Sequence, residues 1–414
     1  MTVLRRTINA CVNVNVIRGA AAALGTMTIL YAVKRKVGQQ TVRRLLSMID
    51  PLEPSENDVA TTLMETLNLD DLHNEIQEAS GEVVAGAERR VVWASEAGLK
   101  TPLCVVFLHG WSSSSSECNP LPERIANALH ANLFYNRLPG HGRTTGPSSP
   151  ASIGCCGDAL LREATPQALF KSAISAIRVG LSLGDRVVLV GCSTGAALAT
   201  WLASLPTVGP SIAAMVLVSP AYALAHPLYP VLKHTFANLR LLPRCLSTPL
   251  RAWLIRFATG KVRDHPSLGA AYDTFNTLTY PTTAILHLID TLWSLEAMDC
   301  TGVTAPTIMI GNPNDNVVDF RVKAINIFLQ FGDTPKALHC ITDAEHPHVV
   351  ASELLSPSAI HEITAVTLAF LEAHLKIISG VRTRIRSKYG LGSFSRSYTS
   401  MKDLAEAVSQ PLEF

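Results

Sequence analysis

Arg186-Val187-Val188-Leu189-Val190-Gly191-Cys192-Ser193-Thr194-Gly195 and the Ala/Leu-rich run Ala196–Leu205 behind it decide the fold. Arg186–Val190 is a continuous β-branched and aliphatic run, as expected of a strand buried on both faces. Ala196–Leu205 is apolar and helix-forming. Between them stands G-x-S-x-G. A strand, a sharp turn and a helix in that order lift a serine hydroxyl above the end of a sheet, at a helix N-terminus. The two glycines leave room for neighbouring backbone to pass close to the turn. The five-residue pattern alone is weak; the strand before it and the helix after it are what give it weight.

Outward from this turn, short β-branched runs alternate with longer helical stretches from Glu82 onward. That alternation predicts an α/β chain with a mostly parallel sheet flanked by helices. The strands are expected at Arg90–Trp93, Cys104–Leu108, Leu133–Tyr135, Arg186–Val190, Ala213–Val218, Thr307–Ile310 and Ala337–Ile341. Thr165-Pro166 predicts a helix start, a capping residue followed by proline at the first helical position. Ser356-Pro357 predicts another, running through Leu371. Between Pro220 and Thr301 the alternation stops, and this segment reads as a helical insertion after the strand near Val218. Residues 221–300 are its expected extent as a cap.

A serine needs a base, and the base needs an orienting acid. Downstream of Ser193, Gly311-Asn312-Pro313-Asn314-Asp315 leaves a strand and enters a polar turn, so Asp315 is the candidate acid; Asp319 is the alternative. The loop Thr342–His348 follows the last strand and carries two candidate bases, His346 and His348. Acyl transfer also needs oxyanion donors. The backbone amides of Thr194, next to the nucleophile, and of Trp111, in the loop His109-Gly110-Trp111-Ser112, are the candidates. His109 reads as a turn residue bonded to backbone.

The motifs Val105–Glu117, Arg137-Leu138-Pro139-Gly140-His141-Gly142, Gly191–Gly195, the Asp315 turn and the His348 loop together resemble the α/β-hydrolase superfamily, over about 82–375. The nearest branch is that of monoacylglycerol lipases, lysophospholipases, carboxylesterases and the serine aminopeptidases of the S33 type. The resemblance implies an α/β-hydrolase fold with a cap, a Ser193–Asp315–His348 triad and a structural role for Pro139–Gly142. Its histidine is commonly followed by two aliphatic residues, which His348-Val349-Val350 matches better than His346-Pro347. It implies ester hydrolysis, with acyl esters of glycerol, lysophospholipids or simpler carboxylic esters as substrates, and no cofactor or metal. Thioesterases, peptidases and acyltransferases use the same parts. A non-catalytic binding protein on this fold is the rival from another class, and the presence of all three triad groups argues against it.

Composition limits the remaining readings. The chain has 414 residues with a formal net charge of +2, which gives no case for nucleic acid as a partner. Nine cysteines without C-x-x-C spacing suggest neither a disulfide framework nor a zinc site, and a reducing compartment is the simplest reading. The vicinal Cys155 and Cys156 read as loop residues. The first 49 residues contain no Asp or Glu, and their apolar run Gly19–Val33 lies between basic flanks. This predicts a membrane anchor with the following domain on the cytoplasmic side. An organellar presequence and an ordinary packed helix are the alternatives. Residues 1–81 are expected to form this segment and a helical linker, 82–380 the main domain, and 381–414 a basic tail. In the insertion, Ala221–Arg263 has no acidic residue but carries Lys233, Arg240, Arg244, Arg251, Arg256, Lys261 and Arg263. Leu250, Trp253, Leu254 and Phe257 share one helical face there. Either that face packs on the domain, or the helix lies on an anionic membrane with its apolar side lining an acyl pocket.

Overall fold

A computed structural model describes residues 39–65, 67–77, 82–144 and 156–375. Gly19–Val33, Cys155 and the basic tail lie outside the described residues. The main sheet has seven strands in the order β1 (Arg90–Val92), β3 (Asn132–Tyr135), β2 (Thr101–Leu108), β4 (Gly184–Cys192), β5 (Ile212–Val218), β8 (Thr307–Gly311) and β9 (Lys336–Cys340). β1 runs antiparallel to β3, and all other neighbours are parallel. This is the α/β-hydrolase arrangement expected from the sequence, and every sheet strand overlaps a stretch where the sequence placed one.

Alternation along the strands feeds two layers. Val105 and Phe107 of β2, Val188 and Val190 of β4, and Val216 and Val218 of β5 turn to the face covered by helices Leu121–Leu129 and Ile360–His374. Helices Pro166–Leu183 and Thr194–Ser204 cover the opposite face. The first of these begins as expected, with Thr165 as N-cap accepting from the Ala168 amide at 3.3 Å and Pro166 in the first turn. The last helix departs from expectation: it starts at Ile360, not at Ser356-Pro357. The Ser356 hydroxyl is occupied elsewhere, donating to Val349 O at 3.0 Å and accepting from the His346 amide at 3.2 Å.

The described residues divide into two compact units, one of 39–51 with 230–251, the other of those within 52–229 and 252–375. In the first, Arg240 and Arg244 both reach Asp50, at 2.8 and 3.1 Å. Burial pushes the Asp50 carboxyl up, but the two guanidinium groups outweigh it and hold its pKa below the ordinary value. In the second unit, residues 52–77 are bound into the domain rather than serving as a linker. Trp201 Nε1 donates to Glu53 at 3.2 Å, and Arg178 pairs with Glu65 at 3.1 Å and Glu75 at 3.8 Å. The change of composition at Glu82 marks where the sheet approaches, not where the unit begins.

The insertion after β5 is helical over Tyr229–Leu239, Arg244–Thr259 and Ala270–Phe275, but it also holds a two-stranded antiparallel ribbon, β6 (Val262–Asp264) with β7 (Thr279–Pro281). Helix Ile285–Leu295, assigned to the cap by composition, packs instead on the helices Pro166–Leu183 and Thr194–Ser204 that line the sheet.

Candidate active site

Ser193 ends β4 and serves as N-cap of the helix Thr194–Ser204, with φ 51° and ψ −117°. This left-handed backbone is costly for a serine. Neighbours hold it there: its amide donates to Val218 O at 2.9 Å, and its carbonyl accepts from the Ala221 amide at 3.0 Å. The flanking glycines are needed for close approach. A Cβ on Gly195 would collide with the Leu108 carbonyl, and one on Gly191 would lie 2.6 Å from Ala196 Cα. The turn can thus form only where helix and strand backbone nearly touch.

The loops after β8 and β9 bring the other two groups to this point. Ser193 Oγ lies 3.1 Å from His348 Nε2, and His348 Nδ1 lies 2.7 Å from Asp315 Oδ2. The Asp315 side chain is fully buried, and its second oxygen accepts the amides of Val317 at 2.8 Å and Val318 at 3.0 Å. A carboxylate with both oxygens engaged is fixed in direction, and so is the imidazole it holds. Asp319, the alternative acid, accepts from the Val322 and Lys323 amides and caps the short helix that follows.

His346 does not face Ser193 in this hydrogen-bond series. Its Nδ1 accepts the amides of His348 at 3.2 Å and Val349 at 3.0 Å, which shapes the loop that carries His348. Burial, and then the neighbouring His348, lower its pKa, so the acceptor nitrogen stays unprotonated. Ser219 at the end of β5 completes the loop by donating to the His348 carbonyl at 2.7 Å.

His109 is held at both ring nitrogens by backbone, Nδ1 to Gly110 O at 2.9 Å and Nε2 accepting the Leu138 amide at 3.0 Å. It ties the loop after β2 to the loop after β3. His141 stacks edge-on against both His109 and Trp111, and its Nδ1 meets Pro139 O at 2.9 Å. Trp111 in turn packs against Tyr280 of β7, and the Thr277 amide donates to Ser112 O at 2.7 Å. The insertion thereby rests on the loop that carries Trp111. Thr194 opens its helix, so its amide is one of the N-terminal donors without an intrahelical acceptor.

The candidate lid residues are placed differently from the rest. Trp253 and Phe257 stack on each other at the surface, 43% and 79% exposed, while Leu254 is half-buried and Ile255 is the buried apolar residue of that helix. A buried packing face made of Leu250, Trp253, Leu254 and Phe257 is therefore not formed. Glu117 was not singled out by sequence. It is buried near Ser193 and accepts the Gly110 amide at 2.5 Å. It closes the stretch Val105–Glu117 that carries the resemblance, but nothing in that stretch gives it a role, because its place depends on a fold-back of the serine run Ser112–Ser116. Among the described residues no cluster of His, Cys, Asp and Glu has the makings of a metal site.

The model of the alpha/beta hydrolase family matches residues 105–355, well over half of the chain, and the chain belongs to that family. A metagenome-derived lipolytic enzyme, from a study of LipS and LipT, matches in structure with a TM-score of 0.52 at 19% identity, covering 71% of this chain and 100% of its own. A soluble variant of monoglyceride lipase from Saccharomyces cerevisiae matches at 13% identity and a TM-score of 0.49, over 73% and 98% of the two chains. A monoacylglycerol lipase from Paleococcus ferrophilus matches at 18% and 0.45, over 69% and 99%. At these identities the likeness is one of fold. No curated protein matches the chain in sequence.

Proposed function

We propose that the chain is a serine hydrolase acting on carboxylic esters. The observation that carries this reading is the unbroken hydrogen-bonded series Asp315–His348–Ser193, on the strained turn of a family fold. Ser193 Oγ attacks the acyl carbon while His348 Nε2 takes its proton. Asp315 holds the imidazole with Nδ1 protonated and stabilises the imidazolium that forms. The Thr194 amide is one oxyanion donor. The Gly110 amide is already bound to Glu117, so the next amide of that loop, that of Trp111, is the other. His348 then returns the proton to the leaving alcohol, and water reverses the sequence on the acyl-enzyme.

The motif resemblance favours monoacylglycerols and lysophospholipids as substrates, and an amphipathic substrate suits an enzyme that works at a lipid surface. Trp253 and Phe257 are exposed together, and Arg256, Lys261 and Arg263 are exposed beside them in sequence. Aromatic rings flanked by cations suit an anionic bilayer, each cation near the surface contributing about 1 kcal/mol. Two of the insertion's other arginines, Arg240 and Arg244, are paired with Asp50 and contribute less to such a surface than the sequence suggests.

Labelling by a fluorophosphonate probe tests the reaction class. Wild-type protein is expected to label at Ser193 and to hydrolyse a series of p-nitrophenyl esters, monoacylglycerols or lysophospholipids; Ser193→Ala should do neither. A Ser193→Ala protein with undiminished turnover removes the reading. For the surface, activity on long-chain esters should rise with phosphatidylserine-containing vesicles and lose that rise in a Trp253→Ser/Phe257→Ser variant. Equal responses of long and short soluble esters exclude the lipid surface but not the hydrolase.

A further inference from the structure

A buried carboxyl behind the nucleophile has no part in the triad. Glu117 is 9% exposed, and its Oε2 accepts the Gly110 amide at 2.5 Å. Gly110 is held in a narrow space: a Cβ there would lie 2.7 Å from Glu117 Oε1 and 2.9 Å from Ser193 Cβ. The carboxyl and the nucleophile thus both close on Gly110. Among the described residues no lysine or arginine pairs with Glu117. Burial raises its pKa, opposed first by the Gly110 amide and then by His348 and the Cys192 and Ser113 side chains.

Burying a carboxyl without a cationic partner is costly, the more so if it is ionised. A leucine of similar volume would fill the space at less cost. What leucine cannot supply is an acceptor for the Gly110 amide. That bond anchors the peptide that enters Gly110, while His109 Nδ1, donating to Gly110 O at 2.9 Å, anchors the peptide that leaves it and carries the Trp111 N–H. In a planar trans peptide the Trp111 N–H points opposite to the Gly110 carbonyl, so the His109 bond sets its direction and the Glu117 bond fixes the Gly110 backbone from which that peptide starts.

We propose that Glu117 is a positioning residue of the reaction: by accepting the Gly110 amide it fixes the loop whose Trp111 amide binds the oxyanion. This rests on the reading of Ser193 as the nucleophile. The bond's effect is felt where negative charge develops on the substrate oxygen. Its loss therefore lowers kcat and leaves KM nearly unchanged. A misplacement of about 1 Å at such a site costs on the order of 10²-fold.

The test compares steady-state kinetics of the full chain on p-nitrophenyl butyrate for wild type, Ser193→Ala, Glu117→Gln and Glu117→Leu, with Tm recorded for each. Glutamine keeps an acceptor oxygen and should hold kcat within about threefold of wild type. Leucine should lower kcat by about 10- to 100-fold at unchanged KM. If the leucine variant does not fold, Glu117→Asp replaces it. Aspartate draws the carboxyl back by one methylene and should show the same loss of kcat. A folded Leu or Asp variant with wild-type kcat, a change in KM alone, or a glutamine variant as impaired as leucine overturns the proposal. If instead Ser193→Ala retains activity, the reading of the site itself falls, and this role for Glu117 with it.

Discussion

Ser193, His348 and Asp315 differ in how each was legible. Ser193 stands in a local pattern with a strand before it and a helix after it, so the one stretch Arg186–Leu205 suffices to find it. Asp315 and His348 carry only their order in the chain and their place after a strand. The residues alone left two histidines open, the family resemblance favoured His348, and tertiary bonding separates them: His348 bridges Ser193 and Asp315, whereas His346 accepts two loop amides. Glu117 carried no local signal at all. This difference in role sets the expected effects. Ser193→Ala and His348→Ala should each lower kcat/KM by about 10⁴-fold or more. His346→Ala removes the acceptor for the His348 and Val349 amides and should loosen the base rather than delete it, lowering kcat by about 10- to 100-fold. A His346→Ala enzyme as inactive as His348→Ala would assign His346 a direct role in the chemistry. Fluorophosphonate labelling rates on purified variants measure the ranking without reference to the natural substrate.

The sheet strands were legible because parallel strands covered on both faces must be apolar along their whole length. β6 and β7 were not. Each has three residues, β6 is fully exposed and carries Arg263 and Asp264, and β7 ends in Pro281. Nothing in such segments separates a ribbon from a loop. The start of the last helix was misplaced for a different reason, since Ser356 has the chemistry of a cap but spends its hydroxyl on the His348 loop. Two loops depend on buried neutral histidines. Burial lowers His109 well below its ordinary pKa, with His141 and Arg137 adding to the shift, and burial lowers His141 to about 4. A base whose folded pKa is depressed binds its proton more readily in the unfolded chain. Stability is therefore full above the unfolded value near 6.5 and declines as pH falls below it, until the folded pKa is reached. Each histidine contributes a slope on the order of 1.4 kcal/mol per pH unit in that window. Urea unfolding between pH 7 and 4.5 should show a loss that is shallower in His141→Asn. Identical slopes in the two proteins would mean that His141 is not held neutral.

Composition divides the chain at Glu82, and the fold divides it elsewhere. The N-terminal arm looked like a linker because it is polar, and its polarity is real. Glu53, Glu56, Glu65 and Glu75 are the groups that fasten it, to Trp201 and Ser294, Thr207, and Arg178. Capping boxes at Ser55–Asp58 and Asn68–Asp71 set its two short helices, and Val59 and Leu72 are buried. Exposed ion pairs contribute little each, but Trp201 and Val59 are among the least exposed apolar side chains, and removing the arm would bare part of that surface to water. Two truncations should then behave in opposite ways. A chain beginning at Glu82 loses these contacts and should unfold at a Tm lower by about five degrees, as a loss of ~3 kcal/mol brings in a domain of this size, or accumulate as aggregates. A chain beginning at Val37 keeps every contact named here and removes the Gly19–Val33 run with its basic flanks. It should keep the esterase rate of the full chain on p-nitrophenyl butyrate and pass from the membrane pellet to the supernatant in cell fractionation. Full-length protein already in the supernatant would dismiss the anchor. A Glu82 chain with the full-length Tm would show that the arm, however well capped and paired, lies on the domain without holding it together.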